Sequence, residues 1–290
     1  MRNGILFFTL LVLVETLLCC TPTPSLEGLG VPYDATAVLR GQSLVRGLAA
    51  CGFCHGGKSD PSVPLSGGRV VYDTFGEVRA PNLTSSKDGI ADWTPLEIMR
   101  AVHTSVAKGE VNLSFEVHRG FEWLADNDAL AIVAYLKTLP PVDGTVERRT
   151  LSTLDKNTTG LFLSRPSDVG YVPQLDPKFE VQYGGYLVDH VARCIQCHNS
   201  PSTMLTAEEY LAGGATIRTE KGSKLAPGIG SSETEGIGAW SESDVVTYLK
   251  TGRSPQGQKS DPDFCPTKFY RLADERDLNA IAKYLKSFSK

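Results

Sequence analysis

The chain has 290 residues, with Lys+Arg 29 against Asp+Glu 33 and a formal net charge of −4. Hydrophobic residues make up 41% and charged residues 21%, ordinary values that exclude wholesale disorder and a polytopic membrane protein. The balanced charge also speaks against nucleic acid as a partner, because phosphate contacts need a basic surface.

The chain opens with MRNGILFFTLLVLVETLLCC: one cation, Arg2, then an apolar run from Ile5 to Leu18 broken only by Glu15. That run is short for a membrane span and suits the core of an export signal. Residues 1–19 are expected to be a signal peptide and 20–35 a tether. Leu17-Leu18-Cys19-Cys20 resembles a bacterial lipobox. The resemblance implies that Cys20 becomes a lipidated first residue, anchoring an exported protein to a membrane surface. Cleavage without lipid, and an uncleaved anchor, are the alternatives.

Residues 41–48 read as a short helix leading into Cys51-Gly52-Phe53-Cys54-His55. Residues 183–191 lead likewise into Cys194-Ile195-Gln196-Cys197-His198. Both motifs are C-x-x-C-H. The spacing sets two thiols on one helical turn, where they can form thioethers with the vinyl groups of a haem while the adjacent His points at the iron. A zinc site, a structural disulfide and a thioredoxin-like pair are the alternatives. Zinc would want further ligands at short spacing, and none follows either motif; a redox pair needs no trailing His. The expectation is two covalently bound haem c groups, held by Cys51, Cys54 and His55 and by Cys194, Cys197 and His198.

The halves match beyond these motifs. Residues 80–98 answer 226–245, and 128–139 answer 277–288, with an offset of 143 at the first Cys, 147 at Trp93 and Trp240 and 149 at the terminal helix. Small drifts of this kind mark a duplicated module. Thr94 with Glu97, and Ser241 with Asp244, read as capping-box starts of helices. Leu130, Ile132, Val133, Tyr135 and Leu136 form an apolar stripe, as do Leu278, Ile281, Tyr284 and Leu285; Tyr135 and Tyr284 read as core. The expected fold is all-α: tandem modules at 36–142 and 177–290, each a few helices around a haem, joined by a surface linker at 143–176.

The string APNLTSSKDGIADW at 80–93, an amphipathic helix, and DALAIVAYLKTLPPV at 128–142 resemble the multi-haem cytochrome c subunits of membrane-bound bacterial alcohol, aldehyde and gluconate dehydrogenases. The resemblance implies two tandem cytochrome c-like domains facing the periplasm, where c-type haem is attached. It implies an electron-transfer protein rather than an enzyme, with redox partner proteins such as a membrane-bound dehydrogenase, a quinol-oxidising complex or a terminal oxidase. It also puts Asn82, Thr84, Trp93 and Trp240 near haem propionates, and a carbonyl of Pro81 or Pro227 opposite a proximal His N–H.

In that family a Met of an M-P pair lies distal to each haem. Here Met99 and Met204 fall elsewhere. The corresponding windows hold His118 and Cys265, which the offset of 147 brings into register. The expected iron ligands are therefore His55 and His118 at the first haem and His198 and Cys265 at the second. A surface or propionate-binding His118 and a free buried Cys265 are the alternatives, and His103 and His190 are further candidates. Imidazole and thiolate stabilise ferric iron better than thioether, so both potentials should be low, and unequal, with the second lower. An open or labile site would instead suit a peroxidase or a thiosulfate or sulfur-compound oxidase. A haem-based redox sensor is the remaining alternative.

Overall fold

The computed structural model describes residues 35–155, 157, 170–202 and 205–288. The signal segment, nearly all of the tether with Cys20, and Met204 lie outside the described residues. In the first half, helix α1 (Ala35–Ser43) runs through a wider-wound turn at 44–48 to α2 (Cys51–His55). The hairpin of β1 (Val70–Asp73) and β2 (Gly76–Arg79) follows, then α3 (Pro95–Thr104). A small pair, β3 (Val106–Ala107) and β4 (Val111–Asn112), leads to α4 (Phe115–His118) and α5 (Asp126–Thr138). The second half supplies α6 (Glu180–Tyr186), a similar wide turn at 187–191 and α7 (Ile195–His198). Then come β5 (Thr216–Thr219), β6 (Gly222–Leu225), α8 (Glu242–Thr251), α9 (Thr267–Tyr270) and α10 (Glu275–Ser287).

Local chemistry explains these starts and stops. The Thr94 and Ser241 hydroxyls accept from the N–H of Glu97 and Asp244, whose carboxylates accept from the cap N–H at 2.7 and 2.8 Å. Both expected capping boxes are present. Ile132, Val133 and Leu136 on α5, and Leu278, Ile281 and Leu285 on α10, are buried as the stripes require.

An all-α fold does not describe this chain. Among the described residues, three two-stranded antiparallel sheets accompany the helices, which makes the fold mixed α/β. In two of them a two-residue turn hands over to a glycine at positive φ, Gly76 (+100°) and Gly222 (+119°), a combination that closes a hairpin. The strands have at most four residues, too few for an alternating pattern to stand out.

Each half lays its first helix against its last. A Cβ at Gly41 would come 1.9 Å from the Ala131 carbonyl oxygen, and one at Gly184 would come 2.0 Å from that of Ala280. Only glycine allows so close an approach. The described residues pack as one compact unit, and an ionic cluster ties its halves together. Arg40 donates from Nε to Asp128 (2.9 Å) and from Nη1 to Asp277 (2.5 Å); both carboxylates are buried. Tyr186 donates to Asp128 at 2.8 Å and Tyr183 to Asp277 at 2.9 Å. Burial works against the Arg40 charge, but the two aspartates outweigh it and raise its pKa.

The start of the linker is tied down over the first half. Arg149 reaches both Asp73 oxygens at 2.6 Å, and Thr145 donates to Asp88 at 3.0 Å. Among the described residues no helix is long and apolar enough to cross a membrane.

Candidate functional site

Both C-x-x-C-H motifs begin the same way. Ala50 and Arg193, immediately before the first Cys of each, adopt left-handed backbone with φ of 46° and 52°. The chain then coils at once: the Phe53 N–H reaches Ala50 O at 2.8 Å and the His198 N–H reaches Cys194 O at 2.8 Å. Cysteines three apart thereby share one face of a turn. Cys51, Cys54, Cys194, Cys197 and Cys265 are not joined to one another by disulfides. Burial pushes the Cys51 and Cys197 thiols up to about 11. Among the described residues, no three His, Cys, Asp or Glu side chains group as a metal-binding cluster of the kind zinc requires.

The motif histidines are oriented identically. His55 Nδ1 donates to Pro81 O and His198 Nδ1 to Pro227 O, both at 2.8 Å. A carbonyl can only accept, so Nδ1 carries the proton and Nε2 keeps its lone pair for a metal. Burial pushes both pKa values down, keeping the rings neutral as ligation requires.

His118 faces His55. The ring centroids are 6.3 Å apart with 30° between the planes. Two imidazoles bonded to one metal at about 2 Å each would have centroids about 6 Å apart. The spacing therefore fits an iron between the rings. His118 Nδ1 is buried without a hydrogen-bond partner. Burial, with His55 and Arg193 adding to it, pushes the His118 pKa down to about 3.

The second half differs. Cys265 is half-buried and lies within electrostatic reach of Cys194, Cys197 and Tyr248. Burial foremost, then Cys197, pushes its thiol up to about 12. The structure thus brings His118 to the motif histidine and Cys265 to the motif cysteines.

The remaining candidates have other partners. Asn82 and Thr84 are buried in a loop of their own: Asn82 Oδ1 accepts from the Thr84 N–H and hydroxyl at 2.8 Å each, and Nδ2 donates to Val142 O at 2.8 Å. Trp93 is half-buried, and its carbonyl accepts from Lys137 Nζ at 2.5 Å. Trp240 meets Tyr248 edge-on at 5.4 Å. Met99 packs in the core. His190 donates to Gly120 O at 3.0 Å, and His103 lies near Glu122 and Asp126. Sequence reasoning missed Arg193, whose charge bears on Cys51, Cys54, His55 and Cys197. The only sequence signal for it was the asymmetry with Ala50.

Comparison with known proteins finds cytochrome relatives. The chain is 28% identical to the fructose dehydrogenase cytochrome subunit of Gluconobacter japonicus, over 96% of this chain and 57% of that protein. It is 28% identical to the cytochrome c subunit of a quinone-dependent alcohol dehydrogenase of Gluconobacter oxydans, over 88% and 55%. A diheme cytochrome c-type protein of Cereibacter sphaeroides is 28% identical over 83% of this chain and 81% of its own length. This chain is a relative of cytochrome c subunits. It spans little more than half the length of the dehydrogenase subunits it matches. No family model matches it.

Proposed function

We propose that the chain is a periplasmic di-haem cytochrome c that relays electrons between redox partner proteins. In this reading 36–142 and 177–290 are tandem modules. Bound haem supplies one-electron redox chemistry, and the protein supplies attachment, orientation and electrostatics. Cys51 and Cys54 hold one group and Cys194 and Cys197 the other. Pro81 and Pro227 aim His55 and His198. His118 is the distal ligand of the first haem and Cys265 that of the second.

The observation that carries the reading is the pair of opposed neutral imidazoles, His55 and His118, 6.3 Å apart. The names of the relatives support a dehydrogenase as electron donor, and a lipid at Cys20 would hold the chain at a membrane surface. Cys265 as a ligand must lose the proton that burial favours, which ferric iron promotes and ferrous iron does not; hence the lower potential expected at the second haem.

Pyridine haemochrome analysis should return two haems per chain, and EPR of the oxidised protein should show one bis-imidazole and one thiolate low-spin signal. His118→Ala should abolish the first signal alone, and Cys265→Ala the second alone. Unchanged spectra would reject these ligands, and absence of covalent haem would reject the function. Ready uptake of CO or cyanide by the unaltered protein would favour a peroxidase or sulfur-compound oxidase.

A further inference from the structure

The residue before each motif is left-handed in both halves, yet in the first it is Ala50 and in the second Arg193. That one difference sends a guanidinium out of the second motif into the first half. Arg193 Nη1 donates to Val117 O at 2.6 Å, with Arg119 O at 3.5 Å. These two carbonyls flank His118. The guanidinium carbon lies 4.0 Å from the centre of the Phe121 ring, a cation–π distance, and Phe121 in turn stands 6.1 Å from the His118 ring.

The loop is closely fitted to this grip. Gly120, between the two contacts, has φ of 104°, and a Cβ there would meet Asp189 O at 3.0 Å and Arg193 Cγ at 3.1 Å. His190 holds the Gly120 carbonyl from the same segment. By itself α4 spans only Phe115–His118, a single turn with too few internal hydrogen bonds to hold a ligand in place.

We propose that Arg193 is the positioning residue for the distal ligand of the first haem, so that the second haem's attachment segment holds His118 against His55. This rests on the di-haem reading above. A fixed positive charge beside Cys51 and Cys54 would also favour the reduced state of the first haem. Arginine suits the role because its planar fork can bond carbonyls and stack on Phe121 at once; a lysine keeps the charge and loses both geometries.

The test uses the full-length holoprotein. Arg193→Ala should retain two haems per chain by pyridine haemochrome. At least half of its bis-imidazole EPR signal should be lost to a high-spin species, with CO uptake by the reduced first haem and the second haem's signal unchanged. Arg193→Lys should lose less of the signal and take up less CO. Should Arg193→Ala fail to accumulate, Phe121→Leu, which removes the stack together with the Phe121–His118 ring contact and leaves the Arg193 bond to Val117 O, should still raise CO uptake above that of the unaltered protein. A full bis-imidazole signal and no CO uptake in Arg193→Ala, or in both Arg193→Lys and Phe121→Leu, would overturn the inference alone. Absence of that signal from the unaltered protein would remove His118 as a ligand and the inference with it.

Discussion

The two halves share a frame and differ at its open side. In both, a glycine brings the first helix onto the last, a hairpin follows the motif, a capping box starts the next long helix, and a proline carbonyl orients the motif histidine. Among their differences are the segment before the terminal helix, His118 against Cys265, and the position before the motif, Ala50 against Arg193. Backbone geometry sets how a haem would be attached, while a few loop side chains set what stands opposite it. Such an arrangement lets two similar halves carry different electronic properties on the same packing.

The largest break in this comparison should come from the shared cluster. Arg40→Ala leaves one buried carboxylate uncompensated in each half and should cost about 3–5 kcal/mol. Chemical denaturation should show one transition moving as a whole; a shift in only part of the signal would mean that the halves unfold separately. Gly41→Ala and Gly184→Ala come next. Each forces a methyl into a backbone carbonyl and should cost about 1–3 kcal/mol. The costs should be similar, and a large inequality would show that one half tolerates the helix shift the other does not. Thr94→Ala and Ser241→Ala should each cost about 1 kcal/mol through loss of a cap, read by the same denaturation.

The smallest effect is one of pH and belongs to the first half alone. Burial opposes ionisation of Asp73, but its bonds to Arg149 and Ser114 prevail and hold its pKa below the usual 3.8. Its contribution is therefore complete above the ordinary carboxylate range and is lost as pH falls through and below it. Limited proteolysis at 143–155 should accelerate on acidification. Asp73→Asn should give the fast rate at neutral pH. The corresponding place in β5 is Thr219, so no matching acid response is expected in the second half.

The parts of the molecule governed by local chemistry were legible in the sequence. Thr94 and Ser241 with their acids three residues on, the stripes of α5 and α10, and the two motif turns all depend on neighbours within four residues. The hairpins escaped because β5 is the polar run Thr-Ile-Arg-Thr, and because the turn glycines Gly76 and Gly222 read equally well as loop residues. His118 could be proposed from the register of the repeat, but its opposition to His55 is a long-range fact. The contacts of Arg40 with Asp128 and Asp277, and of Arg193 with the His118 loop, join residues 74–237 positions apart. No period or spacing announces such pairs.

Arg40 has a consequence for the independence of the two halves. Severed at the linker, the first fragment would keep Arg40 paired with Asp128, while the second would keep Asp277 with the Tyr183 hydroxyl at 2.9 Å and the largely exposed Arg276 at 3.6 Å. The second piece would lose the buried cation that answers its buried carboxylate. A basic residue of one half that serves a buried acid in each makes the two halves depend on one another for their charge balance.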